Sequence, residues 1–290
     1  MTIKNYKIGL EKNKANFVSL TPILFLERAS NIFPNYTSII SENNKFTWKN
    51  TFTRCRLFAS ALQKKNIKKG DTVSIMAPNT SAMYEAHFAI PMAGAVINTI
   101  NIRLDPKTIS YILNHSDSKL IFSDTEFLPV IKQAFEINNH KIPIIFIDDC
   151  KDFSNNINEG QSYEDFLNEG NPEDFKFNLN IEDEWFPISL SYTSGTTGNP
   201  KGVVTHHRGA YLNAISNHLI WHMKKNPVYL WTLPMFHCNG WCFPWSIAAL
   251  AGTNICLRRI NAREIFELIK KHNVSNLCGT TVIIKMLIDE

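Results

Sequence analysis

A stretch of hydroxyl side chains, glycines and one lysine, SYTSGTTGNPKGVV at residues 191–204, could hold a polyphosphate. Gly195, Gly198 and Gly202 let backbone N–H groups approach phosphate oxygens closely, because glycine has no Cβ. Lys201 adds a positive charge. Hydroxyl donors come from four residues: Thr193, Ser194, Thr196 and Thr197. The stretch therefore predicts a phosphate-binding loop.

This stretch does not have the spacing of a Walker A loop. That loop needs Gly directly before its Lys and Ser or Thr directly after it, whereas Pro200 and Gly202 flank Lys201. A P-loop GTPase or kinase is therefore disfavoured. A flexible, solvated Gly/Thr loop is the plainer interpretation. Apolar residues lead up to the stretch at every second position: Phe186, Ile188 and Leu190. They indicate a buried strand, and open α/β sheets hold ligands at the carboxyl ends of such strands.

A second group, LPMFHCNGWCFPW at residues 233–245, combines bulky aromatic side chains with one histidine. Apolar walls with a single polar group are typical of small-molecule sites. A packed aromatic cluster with a hydrogen-bonded histidine is the alternative that these residues alone favour. Cys238 and Cys242 are spaced C-x3-C, but no second pair or neighbouring ligand histidines accompany them, so a structural role is favoured over zinc.

Both groups resemble motifs of one family. YTSGTTGNPKGV at residues 192–203 resembles the phosphate-binding loop of the AMP-forming acyl-activating enzymes, which include acyl-CoA synthetases, luciferases and peptide-synthetase adenylation domains. LPMFHCNGW at residues 233–241 resembles the acyl-site motif of the fatty-acyl-CoA synthetase branch. Residues 70–79 and 92–104 resemble N-terminal motifs of the same synthetases, so the resemblance covers the chain from about Phe17 onward.

The resemblance implies a role for each motif. His237 would face the reacting carboxylate, Trp241 would open or close the acyl channel, and Cys238 would be a further substrate contact. Lys201 and His237 are the predicted catalytic residues, and Thr193 is the predicted side-chain ligand of Mg²⁺. The predicted contacts to the ATP phosphates are Thr193, Ser194, Gly195, Thr196, Thr197, Gly198 and Lys201.

The implied reaction is ATP-dependent activation of a carboxylic acid. The carboxylate would attack the α-phosphate of Mg-ATP to give an acyl adenylate, and the thiol of the co-substrate CoA would then displace AMP. A fatty acid or a short thioether acid is the implied substrate. Full-length members continue with a Tyr-Gly-x-Thr-Glu motif and a small domain that carries a lysine, which these 290 residues lack. The chain is therefore expected to be the N-terminal portion and inactive, or severely impaired, by itself.

Two other interpretations stay open. The chain could be a non-catalytic binding or regulatory fragment of the same fold. A luciferase or the adenylation unit of a peptide synthetase would share the phosphate loop, but LPMFHCNGW disfavours both.

The elements that must position these motifs alternate between strand and helix patterns from Gly70 onward. This alternation predicts an α/β fold with doubly wound, mostly parallel sheets and helices on both faces. The resemblance identifies it as the N-terminal domain of the acyl-adenylate-forming fold. We expect an N-terminal subdomain at 1–180, with an irregular arm and a surface excursion, and a second at 181–290, incomplete at its C-terminus. A helix is predicted at 240–250.

Composition also restricts the partners and the cellular location that can be expected for this chain. The chain is 44% apolar and 19% charged, and its formal net charge of +4 is spread as single lysines and Lys-Lys pairs, so no nucleic-acid partner is expected. No apolar run approaches the roughly 18 residues of a membrane span, and no apolar signal segment precedes residue 17. Six scattered cysteines are typical of a reducing compartment. We therefore expect a cytoplasmic protein, and the resemblance also implies a homodimer.

Overall fold

Two sheets with helices packed around them make up the described part of the chain. The computed structural model describes residues 8–42, 44–138, 141–149, 160–173, 183–193 and 198–290. The helices are α1 (Ile23–Ile32), α2 (Trp48–Lys64), α3 (Ser81–Met92), α4 (Pro106–His115), α5 (Leu128–Asn138), α6 (Tyr163–Asn168), α7 (His207–Ile220), α8 (Cys238–Trp241), α9 (Phe243–Ala249), α10 (Ala262–His272) and α11 (Thr281–Asp289). The strands are β1 (Thr37–Ser41), β2 (Asn44–Thr47), β3 (Thr72–Met76), β4 (Val96–Thr99), β5 (Ser118–Asp124), β6 (Ile144–Ile147), β7 (Gln161–Ser162), β8 (Pro187–Tyr192), β9 (Gly202–His206), β10 (Val228–Trp231), β11 (Thr253–Cys256) and β12 (Asn276–Leu277).

The sheets are mostly parallel, as the alternating pattern predicts. The seven-stranded sheet has the order β7-β6-β5-β3-β4-β8-β9, and β9 at its edge runs antiparallel to β8. The five-stranded sheet has the order β12-β10-β11-β1-β2, and β2 at its edge runs antiparallel to β1. Every residue of β3 and β4 is buried, which is typical of parallel strands covered on both faces. The predicted α/β class is therefore confirmed.

Sheet membership does not follow chain order. Strands β1 and β2 come early in the chain but join the sheet that contains β10, β11 and β12. Strands β8 and β9 come after residue 180 and complete the sheet built on β3 to β7. The division at residue 180 thus remains a prediction, and both sheets draw strands from each side of it.

Local helix signals agree with the structure at two N-termini. The Thr47 hydroxyl accepts a hydrogen bond from the Asn50 backbone N–H (3.2 Å) at the start of α2. Asp105 Oδ1 accepts from the Thr108 N–H (3.1 Å) at the start of α4, where Pro106 is the first helical residue. Within the described ranges, no helix is long and apolar enough to span a bilayer.

Two buried histidines make folding sensitive to acid. His87 in α3 is buried, and its Nδ1 lies 2.8 Å from the Met83 carbonyl oxygen. His207 in α7 is also buried, and its Nδ1 lies 2.9 Å from Thr21 Oγ1. Burial lowers the pKa of each ring to about 4, since the charged imidazolium loses its hydration.

Stability is therefore expected to fall as the pH drops from about 6.5 to 4. In that window the unfolded chain binds protons that the folded chain does not, and each histidine contributes up to about 3 kcal/mol. Urea unfolding at several pH values measures the effect, and His87→Gln should flatten the acid slope. His222, which is exposed, supplies the control His222→Gln. Equal slopes in both variants would refute the assignment.

Candidate functional site

The predicted phosphate loop is a hairpin between an inner and an edge strand. Strand β8 pairs in parallel with β4 and antiparallel with β9, so residues 193–201 connect β8 to β9 at the carboxyl end of β8. The Thr193 N–H donates to the Lys201 carbonyl (3.1 Å), and the Lys201 N–H donates to Thr193 Oγ1 (3.3 Å). These two bonds close the neck of the hairpin.

The rest of the predicted loop is only partly described. Ser194, Gly195, Thr196 and Thr197 lie outside the described residues. A Cβ built on Gly198 would meet no atom of the described residues within 4 Å. The backbone at Gly198 is therefore open to a ligand on that side.

Contacts to α4 fix the residue that precedes the hairpin. Tyr192 Oη lies 2.8 Å from His115 Nδ1, and the Tyr111 ring stacks on His115 with centroids 5.3 Å apart. Burial raises the pKa of Tyr192 to about 12, so its hydroxyl stays protonated at neutral pH.

The aromatic motif, residues 233–245, follows β10 of the five-stranded sheet. It is hydrogen-bonded to residues at the ends of β3 and β4 in the seven-stranded sheet. Asn79, just beyond β3, donates from Nδ2 to the Trp231 carbonyl (2.8 Å). Its Oδ1 accepts from the Met235 N–H (2.8 Å). Thr99 at the end of β4 donates from Oγ1 to the Phe236 carbonyl (2.8 Å). The carboxyl ends of β3 and β4 thus position a loop that begins in the five-stranded sheet.

The short element α8 and the following Cys242 form a left-handed turn rather than a regular right-handed helix, so the predicted helix at 240–250 is wrong at its start. All five residues 238–242 have positive φ, from 48° to 64°. α9 begins only at Phe243, because Pro244 has no N–H and suits the first turn of a helix rather than its interior. A non-glycine residue in this conformation costs about 1–2 kcal/mol. Two bonds support the turn: Asn239 Nδ2 to Ser189 Oγ (2.8 Å) and Asn217 Nδ2 to the Trp241 carbonyl (3.0 Å).

Two adjoining cavities share part of their lining, which the hairpin and the aromatic motif provide together. The shared wall consists of Ser191, Tyr192, Thr193, His237 and Cys238. We call one space, of about 350 Å³, the α4-side cavity; it is also lined by Thr99, Asp105, Thr108, Gly198 and Phe236. We call the other, of about 510 Å³, the Trp241-side cavity; it is also lined by Val203, Thr205, Gly209, Asn213, Asn239, Trp241 and Cys242.

Most of the predicted site residues that the structure describes line one or both of these cavities. Thr193, His237 and Cys238 share the wall, and Trp241, 57% exposed, borders the second cavity. Lys201 is exposed and borders neither cavity, although its backbone closes the hairpin neck. Cys238 Sγ lies 3.9 Å from His237 Nε2. Burial raises the pKa of Cys238, which keeps it a protonated thiol rather than a nucleophilic thiolate.

Sequence reasoning missed the residues that hold the aromatic motif in place. Asn79, Thr99, Ser189 and Asn239 each make a hydrogen bond between elements far apart in the chain. One signal was available: Pro78-Asn79 directly follows a buried strand, where polar residues reach a site at the sheet edge. His206 caps the start of α7, because its Nδ1 accepts a hydrogen bond from the Gly209 N–H (2.8 Å).

Comparison with known proteins identifies the family to which this chain belongs. A family model described as AMP-binding enzyme matches residues 26–290. The chain belongs to the AMP-binding enzyme family. The resemblance carried by the two motifs is therefore confirmed, and the fold is that of the N-terminal domain of acyl-adenylate-forming enzymes.

Relatives of this AMP-binding enzyme chain are CoA ligases. It is 46% identical over 292 residues to an acetate/butyrate–CoA ligase of Arabidopsis thaliana, covering 97% of the chain and 51% of the relative. It is 47% identical over 294 residues to a trans-cinnamate:CoA ligase of Petunia hybrida, again covering 97% and 51%. The chain thus spans about half the length of these curated relatives. Both relatives are named as peroxisomal, which overturns the prediction of a cytoplasmic protein.

A solved structure shares the fold of this family member. The O-succinylbenzoate coenzyme A synthetase of Bacillus subtilis, in complex with ATP and magnesium ion, matches with a TM-score of 0.75 and 22% identity. The match covers 92% of this chain and 51% of that one.

Proposed function

We propose that this chain is the N-terminal portion of an AMP-forming CoA ligase, which converts a carboxylic acid to an acyl adenylate and then to a CoA thioester. The observation that carries the proposal is the shared wall, in which Thr193 of the phosphate hairpin and His237 of the aromatic motif line the same two cavities. One cavity can thus take the acid while the hairpin takes the phosphates. The names of the two relatives support the same reaction.

The residues present suit ATP with Mg²⁺. Hydroxyl groups, an open glycine backbone and a lysine are the donors that phosphate oxygens need, and Thr193 Oγ1 is an oxygen of the kind that Mg²⁺ prefers. In the described ranges, no three His, Cys, Asp or Glu side chains converge as metal ligands. Bound between the phosphates and Thr193, Mg²⁺ would neutralise part of the phosphate charge.

The residues of this chain would act by positioning the substrates and by stabilising negative charge on the phosphates. The two bonds between Thr193 and Lys201 hold the hairpin ends together, so that its N–H groups can face the phosphates. The Lys201 ammonium would stabilise charge that develops on the leaving pyrophosphate. His237 would orient the carboxylate at the wall, and Trp241 would cover the cavity that holds the rest of the acid.

A short aliphatic or an aromatic acid is the substrate class that we propose. A cavity of about 510 Å³ falls within the range of small-ligand sites, and the relatives are named for acetate, butyrate and trans-cinnamate. The fatty and thioether acids expected from the sequence stay predictions, as does the homodimer. We also propose that these 290 residues alone bind the substrates but turn them over poorly, and that the whole ligase works in peroxisomes.

Titration with Mg-ATP tests the proposal. The 290-residue chain should bind Mg-ATP in calorimetry, and Lys201→Ala should weaken binding about tenfold to a hundredfold, because a hydrogen bond to a charged group is lost. Lys224→Ala, at an exposed lysine outside both cavities, should leave the affinity unchanged. Absence of Mg-ATP binding by the unaltered chain would contradict the proposed function. Acid-dependent pyrophosphate release at enzyme-like rates would contradict only the low turnover proposed for the chain alone.

A further inference from the structure

A hydrogen bond joins the phosphate hairpin to a helix that carries neither of the two motifs. Tyr192 is the last residue of β8, directly before the hairpin, and its Oη lies 2.8 Å from Nδ1 of His115 in α4. A phenol both donates and accepts, so this bond can form with either tautomer of the His115 ring. The two rings also meet edge to face, with centroids 5.7 Å apart. Tyr192 is therefore tied to α4 by a polar and an aromatic contact.

The same tyrosine also contacts the other arm of the hairpin. Tyr192 pairs with Gly202 across the antiparallel strands β8 and β9. A Cβ built on Gly202 would lie 3.6 Å from Cε1 and Cζ of Tyr192, so the tyrosine ring lies against the Gly202 backbone. His115 thus reaches both ends of the hairpin through one side chain.

Helix α4 can serve as a support because residues outside the hairpin hold it in place. Three of its residues are buried in an apolar cluster that also contains residues of β3, β5 and α5: Ile109, Ile112 and Leu113. The Tyr111 ring stacks on His115 with centroids 5.3 Å apart, which restricts the orientation of the imidazole. A side chain restricted in this way loses little conformational freedom when it binds Tyr192.

We propose that His115 is a positioning residue for the phosphate hairpin: through Tyr192 it holds the neck of the hairpin against α4 in the position that Mg-ATP binding requires. The inference rests on the proposed function, which puts the ATP phosphates at the hairpin. The α4-side cavity is lined by Thr108 of α4 and by Thr193 and Gly198 of the hairpin. The bond between Tyr192 and His115 joins the two elements that line this space. Its loss would let the hairpin shift relative to α4, and a misplaced donor binds its ligand less well.

Calorimetric titration of the 290-residue chain with Mg-ATP tests the inference. His115→Phe keeps a ring for Tyr111 to stack on but removes Nδ1. The dissociation constant should rise about threefold to tenfold, as the loss of one neutral hydrogen bond would give. Tyr192→Phe removes the partner hydroxyl and should give a similar rise. The double variant should bind no more weakly than either single variant, because both substitutions remove the same bond.

Two further variants separate positioning from a structural role. His115→Asn places an amide oxygen or nitrogen close to the position of Nδ1, so it should keep most of the affinity. His222→Phe, at an exposed histidine outside both cavities, should bind Mg-ATP as the unaltered chain does. A merely structural role for His115 predicts a lower Tm in His115→Phe with an unchanged dissociation constant, and that result would overturn the inference. Additive losses in the double variant would also overturn it.

Amide hydrogen exchange, followed by NMR, tests the same contact without a ligand. The Thr193 N–H donates to the Lys201 carbonyl (3.1 Å) in the neck of the hairpin. Its exchange should be several times faster in His115→Phe than in His222→Phe, because a loosened neck opens more often. Equal exchange rates would overturn the inference whether or not Mg-ATP binds. If the unaltered chain does not bind Mg-ATP but His115→Phe speeds the exchange, the proposed function fails while the contact of His115 with the hairpin stands.

Discussion

Replacement of Arg54 by methionine is expected to lower the free energy of unfolding by about 3–5 kcal/mol, because it strands a buried carboxylate. Arg54 Nε lies 2.6 Å from Glu85 Oε1, and the Glu85 side chain is completely buried. The Tyr163 hydroxyl donates to Glu85 Oε2 (2.6 Å). Burial raises the pKa of Glu85 while Arg54 opposes that rise, so loss of the guanidinium leaves the charged form without its cationic partner.

A second partner of Arg54 provides the matched control. Glu164 Oε1 lies 2.7 Å from Arg54 Nη2, but the Glu164 side chain is 64% exposed. Glu164→Gln should therefore cost less than about 1 kcal/mol. Urea unfolding followed by tryptophan fluorescence measures both variants. If Arg54→Met and Glu164→Gln lower the free energy of unfolding by similar amounts, burial does not determine how much each ion pair of Arg54 contributes to stability.

The ion pair between Arg54 and Glu85 is also connected to the candidate site. Glu85 lies in α3, which starts two residues after Asn79, and Asn79 holds the aromatic motif through Trp231 and Met235. Loosening of α3 is thus expected to disturb the shared wall as well as global stability.

Replacement of Gly240 by alanine is expected to cost about 2–4 kcal/mol, from overpacking and from a left-handed backbone together. Gly240 has φ +55°, and a Cβ there would lie 2.7 Å from the Trp231 ring. Trp231 cannot easily yield, because it is fully buried and its Nε1 donates to Asn254 Oδ1 (3.0 Å). The turn that carries Cys238 and Trp241 would have to shift instead.

Gly198→Ala gives the opposite expectation at a glycine of the phosphate hairpin. A methyl group there meets nothing within 4 Å in the part of the chain that the structure describes, so stability should change by no more than about 0.5 kcal/mol. Mg-ATP should nevertheless bind less tightly, because the methyl group occupies the side on which phosphates approach. Chemical unfolding and calorimetry on both variants measure the contrast. An unstable Gly198→Ala, or a stable Gly240→Ala, would contradict it.

The fold class could be predicted because its signals are local. Repeated strand and helix patterns indicate parallel sheets, and the starts of α2 and α4 follow from Thr47 and from Asp105-Pro106, whose bonds reach only three residues along the chain. The edge strands β2 and β9 gave no such signal. Val203 and Val204 of β9 are adjacent in the sequence, so they show no alternation of apolar and polar residues, and in the structure they are 49% and 58% exposed.

Residue types and spacing alone identified the two motifs: the hydroxyl, glycine and lysine residues of the hairpin, and the histidine and tryptophan of the aromatic motif, can be read directly from the chain. The three-dimensional arrangement was needed to show that Ser191, Thr193 and His237 line the same two cavities and that residues 238–242 turn left-handed. The reason is that these features depend on hydrogen bonds and packing between distant segments. Thr99 and Phe236, for example, lie 137 positions apart, and no local pattern encodes their bond.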